Sequence, residues 1–243
     1  MADAKIRLFV DHPLDTGKPV PVDRDQANYL FNVMRLTAGA KLLLFNSKDG
    51  EWLAEVAQAT KRRGLLTCVS KTRALFHPPD LWLLFAPIKK ARTDFIVEKA
   101  TELGAARIIP VQTEFTNSER LRQDRLQAHA IEAAEQCGST YVPDVLALQK
   151  LSHVLQNWPQ DRQLLFCDEV LAGTEYGFDS ALPGKWGILI GPEGGFSDAE
   201  RTRLLEMPQT KSVALGPRIL RADTAAVAAM SLWQSKLGDW NEL

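Results

Sequence analysis

Apolar positions change rhythm once along this chain. In the first third they come in short runs separated by turn formers. KLLLFNSKDGEWLAEVAQ reads as strand, turn, strand, with Asp49-Gly50 supplying the positive φ that a tight hairpin needs. GLLTCVSKTR is a further strand, and Arg7-Leu8-Phe9 another. Between them DRDQANYLFNVMRL predicts a short helix, capped by Asp23 or Asp25, with Leu30, Phe31 and Met34 on one face. Short strands with one helix predict a small β-barrel. Pro78-Pro79 can continue neither a helix nor a central strand, so the boundary falls there. One domain is expected over residues 1–73 and a second over 80–243.

Beyond the prolines the rhythm alternates. LWLLFAPI, ARIIPVQ, QLLFCDE, WGILIG and SVALG read as strands. ARTDFIVEKATELG, stopped by Gly104, reads as a helix. So does SERLRQDRLQAHAIEAAEQCG, with Leu126, Ala130, Ala133 and Cys137 on one face. TAAVAAMSLWQSKL is a helix apolar nearly all round, the kind that is buried on more than one side. A second protomer would cover one of those sides, so a homodimer is expected. Alternating β and α predicts the α/β class, a parallel sheet with helices on both faces.

Composition narrows the classes. With 45% apolar residues the chain can bury a real core, and its apolar runs are far short of a membrane span. The first residues, MADAKIRLFV, lack the long apolar segment of a signal peptide. Cys68, Cys137 and Cys167 are odd in number and widely spaced. They argue against a disulfide framework and for a reducing cytoplasm. His12, His77, His129 and His153 are isolated, so no metal site is expected. Net charge is −1, but residues 1–79 carry 12 Lys/Arg against 8 Asp/Glu and the remainder 17 against 22. That asymmetry suggests a basic docking module on a less basic body.

Two strands end alike, in ILIGPEGG and VALGPRIL, and in such sheets ligands sit outside the carboxyl ends of strands. Gly191, Gly194, Gly195 and Gly216 would let backbone amides approach a ligand, and Pro192 and Pro217 stiffen both loops. Ser197 and Glu200 form a capping box for the first following helix, and Asp223 or Thr224 can cap the second. Neither loop has the spacing of a P-loop or a dinucleotide fingerprint. Glu193 also weighs against phosphate, because a carboxylate ~5 Å away costs on the order of 3 kcal/mol per charge pair. A neutral or cationic ligand suits the loop better, and S-adenosylmethionine fits. Arg218 and Arg221 add guanidinium groups that can hold an anion or stabilise one as it forms. Lys99 lies on the apolar stripe of its helix, where an ammonium must snorkel, pair, or meet an anionic ligand such as RNA.

The motifs together resemble the RsmE family, bacterial 16S ribosomal RNA uracil-N3-methyltransferases of the SPOUT superfamily. The similarity runs through NYLFNVMRLTAGAKLLLFN, EKATELGAARIIPVQTE, AAEQCG, LIGPEGGFSDAE and LGPRILRADTAA. It implies an N-terminal PUA-like barrel and a C-terminal SPOUT α/β domain with a deep trefoil knot. It implies S-adenosylmethionine bound in the knot by Leu189, Gly191, Pro192, Glu193, Gly194 and Gly195 of one loop, and by Leu215, Gly216, Ile219 and Leu220 of the other. It implies pairing of two knotted domains through the helix over 224–237, and a uridine at position 1498 of 16S rRNA, within the 30S subunit, as target. Arg7, Arg35 and Lys99 are expected to contact RNA. Ser139 and Tyr141 stand where the family carries basic residues, and Asp223 where it carries glutamate.

Uridine N3 keeps its proton at neutral pH, so the enzyme must favour loss of that proton and align N3 with the methyl and sulfur. Arg218 and Arg221 are the residues expected to stabilise negative charge on the uracil oxygens. Glu193 and Asp223 are the carboxylate candidates for a base. Two alternatives stand: methylation of another RNA position or of a ribose 2′-oxygen, and an inactive ribosome-binding module.

Overall fold

The computed structural model describes residues 4–117, 121–173 and 184–241. The chain divides into two compact units, Met1–His77 with Ala134–Val142, and Pro78–Ala133 with Pro143–Leu243.

The first unit is a curled five-stranded sheet. Its strands β1 (Arg7–Phe9), β2 (Pro19–Val22), β3 (Lys41–Asn46), β4 (Gly50–Ala59) and β5 (Gly64–Arg73) lie in the order β1-β3-β4-β5-β2. The β1–β3 pair is parallel and the rest antiparallel. Register shifts along β4–β5 bend the sheet, as bulges do. The concave side holds Val20, Leu42, Leu44, Ala54, Val56 and Leu66, with Leu30 as a plug. Gly50, at φ 82°, closes the β3–β4 turn, and a Cβ there would stand 2.4 Å from the Arg73 carbonyl.

Asp23 caps helix α1 (Arg24–Ala27) in a capping box with Gln26. The expected helical face does not persist, because the chain widens into a π-helical turn over Asn28–Val33. Its five-residue hydrogen bonds, such as Met34 N to Tyr29 O, rotate the following side chains. Leu30 stays buried, while Met34 turns outward to 41% exposure.

Glu51 is buried on β4 and accepts from Arg7 Nε (2.8 Å), Thr72 Oγ1 (2.9 Å) and Arg73. Arg7 also donates to the carbonyls of Ala134 (2.6 Å), Glu135 (3.0 Å) and Ser139 (2.7 Å). Those oxygens lie at the end of α3 (Gln123–Cys137), where a cation is favoured and carbonyls lack helical partners. Arg7 was expected to meet RNA; its side chain is 11% exposed and its donors serve this network. The predicted first residues of α3, 118–120, lie outside the described residues.

The second unit is a parallel sheet of β6 (Leu81–Phe85), β7 (Arg107–Gln112), β8 (Asp144–Val145), β10 (Arg162–Cys167), β11 (Lys185–Ile190) and β12 (Thr210–Val213), in the order β12-β10-β11-β6-β7-β8. Short β9 (Gln149–Lys150) pairs with β7. Helices α2 (Lys90–Glu102), most of α3, α4 (Leu151–Gln156), α5 (Asp198–Glu206) and α6 (Ala222–Leu237) complete it. Central strands are covered on both faces, so β6 and the later residues of β10 and β11 read as apolar runs. Helix α6 buries Ala226, Ala229, Met230 and Trp233, and one polar residue, Gln234. Gln234 is satisfied by donating to Leu103 O (2.7 Å), the last turn of α2, and accepting from Asp239 N.

Candidate active site

The strand order runs outward to β7 and β8, then returns so that β11 lies beside β6 and β10 beyond it. Parallel sheets place ligands outside the carboxyl ends of strands at such a reversal. A cavity of about 320 Å³ lies there, at the ends of β10 (Cys167), β11 (Ile190) and β12 (Val213). This is the lower end of the small-molecule range, roughly 300–1,000 Å³. Apolar side chains of Ile190, Val213, Leu215, Leu220 and Ala225 line it.

Both glycine-proline loops enter this cavity, and local packing fixes the first. Gly191 lies under Phe196, where a Cβ would fall 2.5 Å from the ring; Phe196 packs edge-on against Phe166. Gly195 sits at φ 72°, the left-handed region that favours glycine, and a Cβ there would stand 2.1 Å from Glu169 Oε1. Ser197 then starts α5 in the expected capping box, its amide donating to Glu200 (3.0 Å). The second helix differs from expectation. Arg221 occupies the N-cap of α6 without a side-chain cap bond. The helix begins at Ala222, so Asp223 and Thr224 lie inside its first turn, and Asp223 accepts from Thr224 N and faces Arg92.

Arg92, on α2, is the residue that sequence reasoning missed most consequentially. Its guanidinium is 2.5 Å from Glu193 Oε1 and 3.6 Å from Asp223 Oδ2. It thus ties the first loop to α6. Arg218 and Arg221 line the cavity, are exposed, and have no ion-pair partner among the described residues. The signal for Arg92 was weak, since it is one of several cations at the start of α2 and its partners are over 100 positions away.

Gly191, Pro192, Glu193, Gly195, Leu215, Ile219 and Leu220 all line the cavity with Arg218 and Arg221. Leu189 does not: it is fully buried in the core on β11. Gly194 faces out beside Phe115, and Gly216 is buried, its carbonyl accepting from Gly173 N. Lys99 takes the pairing outcome, its Nζ 2.7 Å from Glu102 and over the Phe95 ring, and it does not line the cavity. Arg35 is exposed in the first unit.

The β10 loop adds Cys167, Asp168 and Glu169, none of them expected. Asp168 is buried, caps the turn Glu169–Leu171 through Val170 N and pairs with Arg201 (2.6 Å). Burial pushes the Cys167 thiol well up, so it is a neutral wall rather than a nucleophile. Glu169 has no ion-pair partner among the described residues. The cavity is therefore lined by apolar side chains, by the carboxylates of Asp168, Glu169 and Glu193, and by two guanidinium groups that have no ion-pair partner among the described residues. That suits a ligand carrying positive charge beside a second molecule that develops negative charge. Among the described residues no group of three or more His, Cys, Asp or Glu is placed to hold a metal ion. None of their helices is long and apolar enough to cross a membrane.

Comparison with known proteins agrees with this geometry. Residues 77–234 match the model of an RNA methyltransferase domain, and residues 22–67 that of an RNA methyltransferase PUA domain. The ribosomal RNA small subunit methyltransferase E of Synechocystis is 32% identical over 215 residues, 85% of this chain and 69% of that one. The protein of the same name from Rickettsia conorii is 28% identical over 233 residues, 93% of each chain. The crystal structure of the Neisseria gonorrhoeae ribosomal RNA small subunit methyltransferase E, bound to S-adenosyl methionine, superposes with a TM-score of 0.88 at 27% identity. It covers 97% of this chain and 99% of that one.

Proposed function

The chain belongs to the ribosomal RNA small subunit methyltransferase E family, and on that premise we propose that it transfers a methyl group from S-adenosylmethionine to N3 of a uridine in 16S rRNA. The observation that carries this reading is the convergence of both glycine-proline loops and two unpaired arginines on one cavity.

The residues present fit the donor. Gly195 lines the cavity with backbone alone, and the space a side chain there would take is held by the Glu169 carboxylate. Glu169 is the carboxylate free to face a sulfonium. When bound, the donor supplies a methyl group on positively charged sulfur, to which the N3 lone pair would add as the carbon–sulfur bond breaks. Arg218 and Arg221 serve the other reactant, holding uracil by its oxygens and stabilising the charge left as the N3 proton departs to solvent water. Glu193 and Asp223 are engaged by Arg92, so a base role for either requires that bridge to open. We assign no general base. The proposal extends to a knotted backbone at these loops, to the assembled 30S subunit as target, and to a homodimer. Half-buried Val227, Ala228 and Leu232 on α6 support the last.

Arg218→Ala tests the division of labour. Turnover is expected to fall on the order of 10²–10³-fold, as for loss of one charge-stabilising donor, with donor affinity within about twofold of wild type. Equal loss of both would move Arg218 from the substrate to the cofactor.

A further inference from the structure

Asp168 follows the carboxyl end of β10, and its two oxygens have separate partners. Oδ1 accepts from Val170 N (3.1 Å) and so closes the turn Glu169–Leu171. Oδ2 accepts twice from Arg201 on α5, from Nη2 (2.6 Å) and from Nε (3.2 Å). The Asp168 side chain is 1% exposed and that of Arg201 25%. A charge so deeply buried is costly unless paired. Two donors of one planar guanidinium also fix the direction of the carboxylate, which a single donor would not.

The turn that Asp168 closes has Glu169 as its first residue. Glu169 Oε1 takes the space of a Cβ on Gly195, 2.1 Å away. The loop then reaches the second glycine-proline loop, where Gly173 N donates to Gly216 O (3.0 Å). Arg201 is itself anchored through its neighbour. Glu200 accepts from Ser197 N (3.0 Å) and from Glu114 N (2.9 Å), beyond the end of β7, so the first turn of α5 is tied on two sides. Successive residues of opposite charge on α5 thus reach two different loops. Arg201 does not line the cavity, while Asp168 and Glu169 do.

Resting on the reading that Glu169 faces the sulfonium, we propose that Arg201 is a positioning residue for the methyl donor. Through Asp168 it holds Glu169 where that carboxylate favours S-adenosylmethionine over its uncharged product. Charge alone predicts the opposite sign. Arg201 is a cation near Glu169, so removing it would strengthen binding of a cationic ligand, whereas releasing Glu169 weakens it.

The test is calorimetry on full-length protein with S-adenosylmethionine and S-adenosylhomocysteine. Glu169→Gln should lower the preference for the donor about tenfold, and Arg201→Gln about fivefold. Adding Arg201→Gln to Glu169→Gln should change the preference by less than about twofold, because residues that act through one contact are not additive. Arg201→Lys keeps the charge but gives Oδ2 a single donor. It should lose about twofold, and it serves alone if the glutamine variant does not fold. An unchanged or increased preference in the Arg201 variants overturns the proposal, and so do fully additive losses. If Glu169→Gln lowers the preference and the Arg201 variants do not, this inference falls alone. If Glu169→Gln leaves the preference untouched, the reading of Glu169 falls with it, and wild type that binds no S-adenosylmethionine sinks the proposed function.

Discussion

Arg92 decides what the cavity arginines can do. By occupying Glu193 and Asp223 it keeps two carboxylates off Arg218 and Arg221. Arg92→Gln should release them to pair with the cavity arginines, and turnover should fall at least tenfold. Adding Glu193→Gln should restore part of that loss; no restoration in a two-variant kinetic comparison would make Arg92 merely structural. Glu169 makes a second prediction. A carboxylate near a sulfonium in a partly screened site is worth about 1.4 kcal/mol, or tenfold. Glu169→Gln should weaken S-adenosylmethionine by that factor in calorimetry, and the uncharged-sulfur product S-adenosylhomocysteine by much less. Equal weakening of the two would place Glu169 elsewhere on the ligand. That Gly191, Pro192, Gly195 and Arg218 share one loop cluster could be read from the sequence, because loop chemistry is local. Arg92 and Glu169 could not, because their roles come from chain segments that meet only in the fold.

Caps and turns were legible where a side chain bonds its own neighbours. Asp23 and Ser197 both cap as their spacing implies. Asp223 does not, because a longer-range cation competes for its carboxylate. The π turn was illegible for a related reason. DRDQANYLFNVMRL carries a helical pattern, and only the depth available for Leu30 under the curled sheet distinguishes five-residue from four-residue bonding. The Glu51 network sets the acid stability of the first unit. Burial alone would raise the Glu51 carboxyl, but donors from Arg73, Arg7 and Thr72 outweigh it and hold it at about 2, below the ordinary 4.5. A depressed folded value means stabilisation that is complete above pH 4.5 and lost as pH falls towards 2. Glu51→Gln should cost about 2 kcal/mol at neutral pH, a discounted figure for breaking a buried pair whose Arg73 is half exposed. It should also flatten the pH dependence of Tm in that window. An unchanged acid limb would remove Glu51 as its cause.

The two-part α/β architecture could be read from the change of rhythm at Pro78-Pro79, and the parallel sheet from alternation of strand and helix. The order in which strands sit could not, since periodicity records burial and not neighbours. Two-residue β8 and β9 are too short for any pattern. Residues 134–142 join the first unit through Arg7's bonds to helix-end carbonyls, which no composition shift marks. What the strand order accomplishes is to bring the ends of β10, β11 and β12 to one cavity, and the function rests on that meeting. Its most direct test is transfer of labelled methyl from S-adenosylmethionine to small subunits lacking the modification, followed by digestion and mass spectrometry of the nucleosides. The account predicts label in N3-methyluridine from 16S rRNA. Label in a ribose 2′-O-methyl nucleoside, label confined to tRNA, or no transfer would contradict it.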